Sequence, residues 1–306
     1  MNWYHSYRKE WKEIIETVAR ELGRAEQMVE KDTIQSMFLF ELAKDELPFV
    51  FKGGTSLSKA YGLIDRFSED IDLSMERKPT ESEKKKIKKR ILSIAKDLGL
   101  TITNSEDVFS RHDYNKYIFS YESLFQNFPL EIIIETSFYQ TVYPVITHRV
   151  GSFVETFCEN RDISLPIPFD AGTFTMKVQS LERTFIDKVF AICDYRIQNM
   201  QERDSRHLYD IAKLMPYVEL TPELGTLIDV VRNDRMHSKN NPSAQLKYDI
   251  PKMLEEIISS HFYEEDYRDI TQKLLYEDVS YGQCIEQGIA IVAQSEVFSY
   301  NKASTI

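Results

Sequence analysis

The stretch from Phe49 to Met75 constrains this 306-residue chain more than any other. Phe49-Val-Phe-Lys is a short apolar run, Gly53-Gly54 breaks it, and Thr55 onward resumes helical spacing through Leu57, Ala60 and Tyr61. Glycine alone enters freely the backbone conformations of a tight turn, so the pattern predicts a buried strand turning into a helix. Asp70-Ile-Asp-Leu-Ser-Met then alternates strictly. Strand side chains point to opposite faces in turn, which puts Asp70, Asp72 and Ser74 on one face and Ile71, Leu73 and Met75 on the other. Strand, glycine turn, helix and half-buried acidic strand follow one another in that order.

Each part has a chemical use. Glycines at a strand end let the backbone approach a phosphate, and the helix start beyond them offers free amides and a positive dipole end. Gly53, Gly54, Thr55 and Ser56 are therefore the candidate cradle for a triphosphate, with Thr55 alternatively an N-cap. Two carboxylates on one strand face are hard oxygen donors, suited to Mg²⁺ or Mn²⁺ bridging those phosphates. A lone Gly-Gly or Asp-x-Asp says little, since exposed strands often carry acids; their succession discriminates. A third acid is available on Leu130 to Thr136, where the period of two places Glu131 and Glu135 on the same face.

The rest of the chain falls into three parts: N-terminal helices over 1–46 packing on the core, an α/β core over 47–179, and a helical C-terminal domain over 180–306. Trp11, Ile14, Ile15 and Val18, then Met37, Phe38, Leu39 and Leu42, recur at helical spacing on either side of Gly23. Thr80 and Glu83 have the S/T-x-x-E arrangement that starts helices, and Gly99 is a suitable stop for a helix ending near Leu98. Tyr114 to Tyr121 and Leu130 to Thr136 are rich in aromatic and β-branched residues and read as an antiparallel pair. Thr173 to Val178 reads as a further strand, after which Ser180 caps a helix with Leu181, Phe185, Val189 and Ile192 on one stripe. Residues 204–217, 221–233, 249–260, 264–276 and 281–298 each show amphipathic spacing.

An apolar fraction of 42% and a charged fraction of 28% exclude disordered, collagen-like and membrane classes. No run approaches the roughly 18 apolar residues of a membrane span, and Met1 to Trp11 lacks the apolar centre of a signal peptide, so a cytoplasmic location is expected. Cys158, Cys193 and Cys284 have no metal-ligand spacing and read as buried thiols. A net charge of −11 makes any contact with nucleic acid local. The one dense basic run, Lys84 to Arg90, reads as a solvated helix flank before it reads as an RNA contact.

At GGTSLSKAYGLIDRFSEDIDLS, Gly53 to Ser74, the chain resembles the AbiEii/AbiGii toxin family of nucleotidyltransferases, the enzymatic halves of type IV toxin-antitoxin and abortive-infection pairs within the DNA polymerase β-like superfamily. Ser180-Leu-Glu-Arg-Thr-Phe-Ile-Asp-Lys-Val and Ser205-Arg-His-Leu-Tyr-Asp-Ile resemble two further helices of that family. The resemblance implies a minimal nucleotidyltransferase core, a mixed twisted sheet flanked by helices. It implies that Asp70, Asp72 and a third acid hold the metals, that Lys188 contacts nucleotide phosphates, and that Asp210 completes the polar site. It favours Glu135 over Glu131, because the family's acid lies towards the strand end. His207 departs from the pattern, standing where the family has an aspartate. Arg66 and Ser68 are read as orienting the acidic strand. The implied reaction moves an NMP from an NTP to an acceptor hydroxyl, with the 3′ end of tRNA as acceptor and a cognate antitoxin as partner. A transferase acting on a protein side chain, and a nucleotide- or RNA-binding module without catalysis, are the alternatives. The plain reading of Lys188 is an exposed lysine, and that of Arg206 with Asp210 an i, i+4 pair.

Overall fold

Alternating apolar residues build one sheet from the strands β1 (Phe49–Lys52), β2 (Asp70–Met75), β3 (Thr101–Ile102), β4 (Tyr114–Tyr121), β5 (Leu130–Ser137), β6 (Val145–Val150) and β7 (Phe174–Gln179). The computed structural model describes residues 6–45, 47–68, 70–165, 174–202 and 204–299. Strand order is β3-β4-β5-β2-β1-β7-β6. β2 with β5 and β1 with β7 run parallel, and the other neighbours antiparallel, so the sheet is mixed as the resemblance implied. Thr173, expected to open the seventh strand, lies outside the described residues, as do 1–5 and 300–306.

By its internal contacts the chain forms two compact units, Met1–Gly62 with Phe67–Gln179, and Leu63–Arg66 with Ser180–Ile306. In the first, helices α1 (Arg8–Leu22) and α2 (Glu26–Ala43) flank Gly23, whose left-handed φ of 63° ends α1. Helix α3 (Gly53–Lys59) follows β1 directly. Helix α4 (Glu81–Asp97) starts with the expected capping box between Thr80 and Glu83 and stops before Gly99, at φ 75°. Ile71, Leu73, Ile132, Ile134, Tyr117 and Phe119 on one sheet face pack with Trp11, Phe38 and Ile91 from the helices.

Sequence reading did not find β3, only two residues long, nor β6 and a short helix after it. β6 is a sheet edge whose middle residues are mostly exposed, so its alternation is faint. Helix α5 (Phe153–Glu159) is only seven residues long, although its capping box, Ser152 with Glu155, was present in the sequence. Half of the basic run is absorbed by the fold. Lys84 pairs with Glu81 and Asp113, Lys88 donates to the Val108 carbonyl, and Arg90 pairs with Asp45, while Lys85, Lys86 and Lys89 stay exposed.

The second unit is helical: α6 (Leu181–Gln198), α7 (Arg206–Leu214), α8 (Pro222–Arg235), α9 (Ile250–Ser259) and α10 (Glu264–Asp269) precede a final helical segment, Tyr281–Gln294. Ser180 caps α6 by accepting from the Arg183 amide. The expected helix over 264–276 stops at Asp269, and Thr271–Leu274 is a 3₁₀ turn. The final segment contains a π turn, Ile285–Ile289, where a Cβ on Gly288 would lie 3.2 Å from the Ala212 amide nitrogen. A side chain there would make the neighbouring backbone give way by a few tenths of an ångström. All three cysteines are buried, as expected.

Candidate active site

β2 carries its acids on one face and its core residues on the other. Ile71 and Leu73 are fully buried, while Asp70 and Asp72 are partly exposed on the opposite side. Register then selects between the two glutamates of β5. Asp72 lies opposite Glu135 and Asp70 opposite Ile133, so Glu131 falls two positions short of Asp70's partner. Strands lie about 4.8 Å apart, which makes Asp72 and Glu135 direct neighbours on one face.

Across the next ladder Lys116 of β4 faces Glu135, with its Nζ 3.3 Å from Oε1. Tyr114, two residues earlier on the same strand face, lies near enough for the Glu135 charge to act on its phenol. Partial burial first, then the charges of Glu135, Asp72 and Asp70, push the Tyr114 phenol well above its ordinary pKa. One hydroxyl therefore feels all three carboxylates. Neither Tyr114 nor Lys116 was singled out in the sequence. Alternation gives their common face, but only the β4–β5 register gives their neighbour.

Gly53 has a role the sequence did not disclose. Its φ is 77°, and a Cβ there would lie 1.9 Å from Asp72 Oδ2 and 2.8 Å from Cγ. The Asp72 carboxylate thus rests on the bare Cα at the start of α3, in space that any other residue would fill. Two hydroxyls expected at the phosphate are turned inward instead. Thr55, buried within α3, donates to the Asp70 carbonyl and shares a 2.8 Å hydrogen bond with the Ser68 hydroxyl. Ser56 donates to the Gly53 carbonyl at 2.8 Å. The helix starts at Gly53, entered through that residue's left-handed backbone, and its N-cap position is Lys52, so the alternative reading of Thr55 as N-cap does not hold. Ser68 acts on the acidic strand through Thr55.

Hard oxygen donors on one strand face, with a third directly across the ladder, fit a divalent cation by chemistry and by register. They do not form a closed cage as they stand: among the described residues no three His, Cys, Asp or Glu side chains are grouped to hold a metal.

The second unit gathers the remaining predicted residues. Asp210 is fully buried and receives Arg66 Nε at 2.7 Å and Nη2 at 2.8 Å, a bidentate pair. Lys188 Nζ lies 2.6 Å from Asp210 Oδ2 and 3.3 Å from His207 Nδ1. Burial would raise the Asp210 pKa, but Arg66 and Lys188 together hold it well below the carboxylate range. Lys188 is lowered, by burial first and then by Arg66, because one carboxylate cannot fully balance two cations. His207, lowered to about 3 by burial and then by Lys188, is neutral and stacks on Tyr195 at 5.9 Å. Lys188 is therefore not an exposed lysine, and Asp210 is paired with Arg66 and Lys188 where an Arg206 pair was the plain alternative. Arg66, read as orienting the acidic strand, anchors its own segment to Asp210 and bridges to Leu275.

The profile of the nucleotidyl transferase AbiEii toxin family, type IV toxin-antitoxin system, matches residues 37–287. The fold is similar to that of MenT4, a nucleotidyltransferase toxin from Mycobacterium tuberculosis H37Rv, at 16% identity, with 94% of this chain and 91% of that chain covered and a TM-score of 0.54. It is also similar to a candidate nucleotidyltransferase from H. pylori, at 18% identity, covering 88% of this chain and 94% of that one with a TM-score of 0.50. At such identities the two structures speak for the fold. No curated protein matches the chain. Among the described residues no helix is long and apolar enough to cross a membrane.

Proposed function

Since the chain belongs to the AbiEii family of type IV toxin nucleotidyltransferases, we propose that it is a Mg²⁺-dependent enzyme moving an NMP from an NTP to an acceptor hydroxyl at the 3′ end of tRNA. The observation that carries this reading is the seating of the Asp72 carboxylate on Gly53, with Glu135 directly across the ladder. Backbone amides at the start of α3 face the triphosphate; the Thr55 and Ser56 hydroxyls brace that turn. Asp70, Asp72 and Glu135 would hold two cations, which when bound neutralise the phosphate oxygens and clamp both sides of an in-line displacement. The acceptor oxygen forms its bond to the α-phosphorus while the bond to the bridging oxygen breaks, and pyrophosphate leaves. Glu135, paired with Lys116, acts on the acceptor hydroxyl through the second metal or as the general base that takes its proton. Lys188, the candidate phosphate contact, and Asp210, the candidate polar-site residue, enter as a buried charged cluster of the second unit in which Arg66 and Lys188 both pair with Asp210.

Blocking the 3′ end of tRNA would stop translation, and an antitoxin encoded beside the toxin would restrain it. Purified protein with α-labelled NTPs, Mg²⁺ and either total tRNA or protein extract tests the proposal. Label on RNA supports it, label on protein moves the acceptor to a side chain, and label nowhere overturns it.

A further inference from the structure

At the far end of α3 from Gly53 the first unit holds a cavity of about 490 Å³ that the transferase reading does not use. Helix α3 has seven residues, so its two ends lie about 10 Å apart. The floor is a closed charge pair. Lys59, its side chain 2% exposed, binds the Asp32 carboxylate and donates to the Asp32 carbonyl and Ser36 Oγ, both at 2.8 Å. The other Asp32 oxygen accepts the Phe153 amide at 2.7 Å. These groups satisfy one another and leave the floor neutral and rigid.

The walls are a different matter. Arg24 lies 4.5 Å above the Phe153 ring and Arg161 3.9 Å above Phe157, while Arg149 reaches both oxygens of Glu159 at 3.1 Å. Four cationic and two acidic side chains line the cavity, and with Glu21, the partner of Arg161, the surplus is one positive charge (four minus three) in a chain whose net charge is −11. A local excess of positive charge on an acidic protein marks a site for an anion. The Arg149–Glu159 and Arg161–Glu21 pairs are solvent-exposed. Exposed ion pairs are nearly neutral in free energy, so either arginine exchanges its carboxylate for a phosphate readily. Guanidinium planes steadied by aromatic rings offer flat stacking surfaces beside fork-shaped phosphate donors. The volume lies in the range of small-molecule sites, and a lone phosphate would leave most of it empty.

We propose that this cavity is a second ligand site of the protein, separate from the acidic strand, which takes a nucleoside monophosphate with its phosphate on Arg149 and Arg161 and its base against the guanidinium planes. The observation behind it is the cluster of three arginines around one concave, ring-lined space with a self-satisfied floor.

Equilibrium dialysis of the full chain against each of the four nucleoside monophosphates, in EDTA to remove divalent cations, tests the site. At least one should bind at one per chain, inorganic phosphate should compete weakly, and Asp72→Asn should leave binding unchanged. Arg149→Ala combined with Arg161→Ala should weaken binding at least tenfold. Both arginines are exposed, and a matching melting curve confirms that the variant folds. Thr156→Trp, at an exposed helix position on the cavity wall, should also block binding while touching neither ion pair. Absence of binding by all four, binding lost in Asp72→Asn, or binding retained in both cavity variants overturns the proposal. Binding of RNA alone at these arginines, without any mononucleotide, does the same for the ligand class. Failure here leaves the transferase reading intact, since that is judged by label transfer in Mg²⁺.

Discussion

Gly53→Ala is the sharpest perturbation the structure offers. The added Cβ would meet Asp72 Oδ2 at 1.9 Å, where ordinary contact begins near 3.4 Å. The carboxylate must retreat by roughly 1.5 Å, and a misplacement of about 1 Å at reacting groups can lower a rate about a hundredfold. Alanine at φ 77° also strains the backbone by about 1–2 kcal/mol. Gly23→Ala supplies the control, because Gly23 has a similar φ of 63° but open space where its Cβ would go. Both variants should lose about 1–2 kcal/mol in urea unfolding. Only Gly53→Ala should lose label transfer, by about a hundredfold or more, equivalent to about 2.7 kcal/mol of barrier, and growth arrest on induced expression with it. Should Gly53→Ala stay within threefold of Gly23→Ala in label transfer, the seating of Asp72 would be irrelevant to catalysis and the metal assignment would fall with it.

Asp72→Asn should fold normally, since the side chain is partly exposed, yet abolish both label transfer and growth arrest; full turnover would refute its role as a ligand. Asp210→Asn should destabilise the second unit by about 3–5 kcal/mol, because Arg66 and Lys188 would be left buried without their counter-charge. A urea midpoint close to that of the native protein would show that the network is not ionic. Glu155, pushed up to about 7 by burial first and by Asp32, keeps its proton in the folded chain where the unfolded chain, near about 4.3, has lost it. Its contribution is therefore fully present below about pH 4.3 and disappears as pH rises through about 7, a change of about 4 kcal/mol. Glu155→Gln retains the oxygen that accepts the Ser152 amide but cannot ionise, so its stability curve should be flatter and lie above the native one at pH 8. Parallel curves would contradict the buried-acid assignment.

What the sequence determined is whatever depends on period and on local chemistry. Asp70 and Asp72 share a face because strands repeat every two residues, and the Thr80 capping box forms because both partners lie within one turn. The motif order also carried the family. Tertiary structure decided everything that depends on which distant backbone lies alongside. That Glu135 and not Glu131 faces Asp72 is a fact of β2–β5 register, and that Gly53 makes room for Asp72 is a fact of β1–β2 pairing. Lys188 and Asp210, 22 positions apart in the chain, were legible as chemical groups, yet their burial with Arg66 was not. A side chain's charge is written locally, whereas its desolvation and its partners are set by residues far away in the chain.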